Sequence, residues 1–176
     1  MDILGVDLGV RNLGLALMRV EPGKAPRLLR TATIGLPLKT HPDIFTAYFV
    51  PRLKPYLQRC DRVGSEALTF FTKKQERVRS ARGATPTETF TKIGVVFGIL
   101  TTLAKGYDLP FRSIQPPALK QIVTGVRKGG KEPMIDAVKA LFPDFEDTNH
   151  AADAVLAGLA CWHPEALVCG GRAVAQ

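Results

Sequence analysis

The stretch ILGVDLGVRNLGLAL, residues 3–17, decides the fold. An apolar run ends on Asp7, Gly9 follows, and a second apolar run opens at Gly14 and continues to Val20. A strand, a turn and a second strand account for that pattern. Glu21–Pro26, with its proline and glycine, then forms a hairpin loop into a third strand over Arg27–Leu36. Asp7 therefore stands at a strand end, next to a glycine that lets another backbone approach closely. An aspartate there either carries chemistry or only shapes the turn, as Asp side chains commonly do.

Beyond this meander the chain changes character. Pro42–Cys60 reads as a helix that Pro51 and Pro55 bend or interrupt, and Arg62–Glu66 reads as a buried strand. Thr85-Pro86-Thr87-Glu88 is a helix start, with a threonine cap, proline in the first turn and glutamate three residues after the cap. That helix runs to about Lys105 and stops at Gly106. Leu109–Gln115 follows as a fifth strand, and Pro117–Val123, Lys131–Phe142 and Thr148–Trp162 as helices. A meander followed by alternating strands and helices predicts an α/β domain, with a mixed five-stranded sheet flanked by helices. Its expected extent is residues 1–165, leaving 166–176 as a flexible tail.

Three more side chains join Asp7 as candidates. Glu66 closes the run RVGSEAL, residues 62–68, where a carboxylate among buried neighbours is costly unless paired or metal-bound. The plainer reading is a strand-terminal glutamate facing water. His150 and Asp153 open NHAADAVLAGLACW, residues 149–162; three apart, they share one helix face. Their alanine neighbours permit close packing onto the sheet, and a carboxylate in the first turn is favoured by the helix dipole. In the plainer reading Asp147, Thr148 or Asn149 caps this helix and Asp153 is only a dipole partner, with Asp147 a second-tier site candidate. Gathered together, Asp7, Glu66, His150 and Asp153 would offer the oxygen-rich ligand set that hard divalent cations such as magnesium favour.

The remaining composition narrows the chemistry. A length of 176 residues with 45% hydrophobic content fits one domain with a full core. Lys and Arg number 24 against 16 Asp and Glu, for a formal charge of +8 and a pI near 9.7, a field that attracts polyanions. Cys60, Cys161 and Cys169 form no CxxC pair and read as free thiols in a reducing compartment. The apolar stretches Ile93–Ala104 and Ala154–Trp162 are too short to span a bilayer, and no basic leader opens the chain. The expectation is a soluble, cytoplasmic protein. A metal cluster in a basic protein points to phosphodiester hydrolysis. Two divalent ions about 3.5–4 Å apart could activate water on one side and neutralise the departing oxygen on the other. In-line attack would leave 5′-phosphate and 3′-hydroxyl ends.

Two segments supply positive charge. Thr69–Gly83 carries Phe70, Phe71, Lys73, Lys74, Arg77, Arg79 and Arg82, in which cations can contact phosphates and an aromatic can stack on or wedge between bases. The second cluster is Lys120, Arg127, Lys128 and Lys131, around Gly125 and Gly129-Gly130. Each segment also reads as a solvated loop, with the phenylalanines docked in the core.

LGVDLG near the start, SEAL in the middle and HAADAVLAG near the end resemble the RuvC family of Holliday-junction resolvases in order and interval, from Asp2 to about Trp162. The resemblance implies a ribonuclease H-like fold and a homodimer that nicks two opposed strands of a four-way DNA junction using magnesium or manganese, with two ions per site. On that pattern Asp7, Glu66 and Asp153 are metal ligands. His150 stands where members carry Asp or His, as a ligand or a water-positioning base. A phenylalanine shortly after the second acid sits at the junction exchange point in such proteins; here Thr69 occupies the expected position and Phe70 follows. The resemblance also places Lys120 and Lys131 near the scissile phosphate. Branch-migration proteins are possible partners that nothing in this sequence specifies.

Rival readings are a YqgF-type ribonuclease H-like nuclease acting on RNA, a junction-binding protein without catalysis, and an actin-like sugar or acid kinase. The H-x-x-D helix and the basic segment favour the resolvase over the first. Four intact acid or histidine positions argue against the second. The missing second lobe argues against the third.

Overall fold

Residues 3–7 and 13–18 are buried without a break. Unbroken burial is what strands show when helices cover both faces of their sheet. The computed structural model describes residues 1–9, 12–35, 42–68, 86–125 and 132–167. Within them the order is β1 (Asp2–Leu8), β2 (Asn12–Arg19), β3 (Arg27–Gly35), α1 (Pro42–Leu57), β4 (Arg62–Glu66), α2 (Pro86–Gly106), β5 (Phe111–Ile114), α3 (Pro116–Thr124), α4 (Glu132–Leu141) and α5 (Asn149–Trp162). The five strands form one sheet in the order β3-β2-β1-β4-β5. β1, β2 and β3 pair antiparallel as a meander, whereas β4 pairs parallel with both β1 and β5. The mixed sheet expected from the sequence is therefore present.

Side-chain alternation divides the core between the two faces. Leu4, Val6, Leu15 and Leu17 pack with Phe45, Phe49 and Leu53 of α1 and with Val96 and Leu100 of α2. Ile3, Ala16 and Met18 pack on the other face with Leu119 of α3, Val138 of α4 and Val155, Leu156 and Leu159 of α5.

α1 runs unbroken from Pro42 to Leu57 with Pro51 and Pro55 inside it, so the prolines do not interrupt the helix. They stand four residues apart and both are exposed, where carbonyls left without an intrahelical partner can turn to water. The packed domain also extends past the boundary read at residue 165. Ala166 and Leu167 are buried, and Leu167 belongs to the α5-side core. Positions 168–176 lie outside the described residues. Among the described residues, no helix is long and apolar enough to cross a membrane.

Candidate active site

α5 rests on the sheet at unusually short range. A Cβ on Gly5 would collide with the Ala154 carbonyl oxygen, and one on Gly14 with the His150 carbonyl. From the helix side, a Cβ on Gly158 would stand 2.9 Å from Gly5 Cα and 2.7 Å from Met18 Cε. Gly5 pairs with Gly64 and Asp7 pairs with Gly14 across the strands, so the glycines form a seam that only residues without side chains can line. The seam brings the first turns of α5 against the C-terminal end of β1.

Both ends of α5 are fastened. At the N-terminal end Thr148 is the cap, its hydroxyl accepting the Ala151 backbone N–H at 3.2 Å. The same hydroxyl shares a 2.5 Å hydrogen bond with Thr33 of β3. Asp147 accepts the Thr148 N–H at 2.6 Å and so shapes the approach to the helix. At the C-terminal end Trp162 donates its indole N–H to the Val63 carbonyl at 2.9 Å. The Arg62 and Arg112 guanidinium carbons lie 4.7 and 4.2 Å from the Trp162 ring centroid.

Held this way, α5 delivers His150 to Asp7, with Nδ1 and Oδ2 2.6 Å apart. An ionised carboxylate can only accept, so the ring nitrogen donates, and a neutral ring then keeps its lone pair on Nε2. The Asp7 side chain is 10% exposed and the His150 side chain 31%, so the imidazole is the more accessible partner. Glu66 ends β4 one residue beyond Ser65, the partner of Val6. Gly64, two positions earlier, meets α5, so alternation puts Glu66 on the same sheet face as Asp7. Asp153 lies three residues after His150, half-buried; because α5 begins at Asn149, it falls in the second turn and not the first.

The sequence candidates are thus brought to one end and one face of the sheet, but not into a closed cluster. Asp7 and His150 touch. Among the described residues no group of three or more His, Cys, Asp or Glu side chains stands ready to hold a metal ion. The donor chemistry, carboxylate oxygens with one imidazole, still fits a hard divalent cation. Lys120 is half-buried on α3. Phe70, Lys73, Lys74, Arg77, Arg79, Arg82, Arg127, Lys128 and Lys131 lie outside the described residues, as does Phe71.

Three features of the site were not read from the sequence. The glycine seam looks like ordinary strand and helix glycine until the partner is known. The Thr33 link to the cap joins residues 115 positions apart. The pairing of His150 with Asp7 needed the packing of α5. The available signal was Thr148 itself, one of three candidate caps.

A β3-β2-β1-β4-β5 mixed sheet with helices on both faces and acids at the ends of β1 and β4 defines a ribonuclease H-like fold. No family model matches the chain. Its sequence is 23% identical over 163 residues to the crossover junction endodeoxyribonuclease RuvC of Rickettsia bellii, covering 92% of this chain and 96% of that protein. It is 28% identical over 158 residues to the RuvC of Rickettsia typhi, covering 88% and 92%. The RuvC structure of Thermus thermophilus superposes with a TM-score of 0.70 at 20% identity, covering 96% of this chain and 95% of that one. The same protein in complex with a Holliday junction substrate gives 0.66 at 19% identity, with the same coverage. The chain is RuvC-like in sequence and in fold.

Proposed function

We propose that this chain is a structure-specific endonuclease that resolves four-way DNA junctions by metal-dependent phosphodiester hydrolysis. The observation that carries the reading is the convergence of Asp7 and His150 at the end of β1, on a RuvC-like fold that accounts for nearly the whole chain. RuvC of T. thermophilus has been seen with a Holliday junction, and a fowlpox virus resolvase of similar fold, TM-score 0.56 at 15% identity over 96% of this chain and 99% of that one, has been seen with junction DNA.

Asp7 orients the His150 ring through Nδ1–H, leaving Nε2 to accept a proton from water or to act as a ligand. Magnesium, or manganese in its place, as two ions held by Asp7, Glu66 and Asp153 with His150 as a further ligand, would supply activation of water and neutralisation of the leaving oxygen. Hydrolysis leaves 5′-phosphate and 3′-hydroxyl ends. Phe70, Lys73, Lys74, Arg77, Arg79 and Arg82, together with Lys120, Arg127, Lys128 and Lys131, supply the phosphate contacts and the base-stacking group. The buried free thiols Cys60 and Cys161 suit a reducing, cytoplasmic setting.

Two nicks placed symmetrically need two sites, and a two-fold homodimer provides them. α2 supports that assembly. Val96, Leu100 and Ala104 turn into the core and Val95, Ile99 and Leu103 pack against it, while Ile93 and Phe97 remain half-buried, Phe97 edge-on to Phe111. Gly98 is exposed, and nothing stands within 4 Å of a Cβ built on it or on Gly94.

The test is a cleavage assay on a labelled four-way junction, a fork, linear duplex and structured RNA, with and without magnesium. Paired nicks in the junction, dependent on the metal, are expected. Preferential cutting of RNA would move the reading to the YqgF type. Tight junction binding without cutting under any divalent ion would leave a binding protein only.

A further inference from the structure

At the β3 edge of the sheet, β3 and α1 enclose an open cleft of about 370 Å³, within the size range of ligand sites. Two arginines line it, each laid on a tyrosine ring. The Arg52 guanidinium carbon is 3.8 Å from the Tyr48 centroid, and that of Arg30 is 5.1 Å from the Tyr56 centroid. Tyr48 is tied to the β3 wall, its hydroxyl donating to the Gly35 carbonyl at 2.8 Å. Arg52 Nη1 donates to the Tyr48 carbonyl at 2.8 Å, which holds this guanidinium in place.

Among the described residues no acidic side chain lines the cleft and neither guanidinium has a carboxylate partner. Both arginines are exposed. Stacking uses a guanidinium's face and leaves donors on its edge, the arrangement that recognises phosphate oxygens. Position relates the cleft to the site. Thr33, which also lines the cleft, pairs with Gly14, and Gly14 pairs with Asp7. The cleft therefore sits level with Asp7 along the strands and two strands away, about 10 Å within the sheet, but on the α1 face, opposite the α5 face on which Asp7 meets His150.

We propose that Arg30 and Arg52 form a phosphodiester-binding cleft that grips the backbone of a DNA arm passing the β3 edge. The proposal rests on the nuclease reading for the DNA that reaches the cleft, while the cleft chemistry is independent of cutting. Two variants test it, Arg30→Gln/Arg52→Gln and Arg30→Lys/Arg52→Lys. Affinity is measured against salt for linear duplex, for long-armed four-way junctions, and for junctions with arms too short to pass β3.

On linear duplex and long arms the Gln pair is expected to reduce the slope of log affinity against log salt by about 1.8, at roughly 0.9 per phosphate contact. The slope on short arms stays that of the unaltered protein, the Lys pair keeps the full slope on every DNA, and cutting at saturating DNA is unchanged. An unaltered slope on long arms and duplex overturns the proposal. So does an equal loss on short and long arms, which would be a general charge effect. A lower melting temperature with the slope intact would make the arginines mere covers for the tyrosines and equally sink it. Loss of the duplex slope in a protein that never cuts junctions would keep the cleft and remove the resolvase reading.

Discussion

The hydrogen bond between Asp7 and His150 joins residues 143 positions apart and decides which ring nitrogen is available for chemistry. With Nδ1–H committed to the carboxylate, a neutral ring can accept a proton or bind a ligand only through Nε2. His150→Ala is expected to lower the cleavage rate roughly a hundredfold or more, the range of a lost general base. His150→Asp should restore part of that rate, because a carboxylate can replace the imidazole as a ligand. A near-normal rate for His150→Ala would end its catalytic role. Asp7→Asn, Glu66→Gln and Asp153→Asn should each abolish cutting while leaving junction binding, measured by gel shift, largely intact, since affinity comes from many phosphate contacts. A variant that cuts at full rate would remove its residue from the site. All four residues were legible as candidates because each stands at the end of an apolar run. Their partners were not legible, since no local pattern says which side chain a helix will bring to a strand end.

Among the elements, α5 has the least freedom of placement. Its contact with the sheet is backbone against backbone at Gly5 and Gly158, so added methyl groups cannot be absorbed by rotating a side chain. Gly5→Ala and Gly158→Ala are each expected to cost about 1–3 kcal/mol or more in urea unfolding, as overpacking does. Thr148→Ala should cost about 0.5–2 kcal/mol through its lost cap. Unchanged midpoints would mean that α5 can lift from the sheet without penalty. At the end of α1 the thiol of Cys60 offers a pH readout, because burial pushes it up to about 12 from an ordinary 9.0. Its raised value favours the protonated folded form, so this contribution is intact below pH 9.0 and is lost as pH rises towards about 12. Replacing Cys60 by Ala should therefore flatten the decline of stability measured across that alkaline window; an identical decline would assign the loss to other groups.

β1, β2 and β4 were readable from apolar runs, β3 from the Pro- and Gly-containing loop before it, and α2 from its cap. The persistence of α1 through Pro51 and Pro55 was not, because the sequence does not show that both face water. The glycine seam was equally hidden, since a glycine gives the same local signal whether it serves a turn or a close approach.

For the molecule as a whole, charge and assembly set the expectations. A symmetric pair of nicks requires about twice the 19.1 kDa chain mass by light scattering at micromolar concentration. A strict monomer with and without junction DNA that still makes paired nicks would contradict the homodimer. The net charge of +8 was visible in composition, but the place of Arg30 and Arg52 at one cleft was not. Tyr48 and Arg52, four apart on α1, were the only local hint of it.

The glycine seam also has a consequence for motion. α5 lies across β1, β2 and β4 and is pinned by Thr148 and Trp162, so it cannot open as a separate flap. Amide hydrogens of Ala154–Gly158 should then exchange with deuterium only through unfolding of the entire domain, at a free energy matching that from urea. Faster exchange there than in β1 would reveal a detachable helix, and with it a site able to come apart while the rest of the fold stays intact.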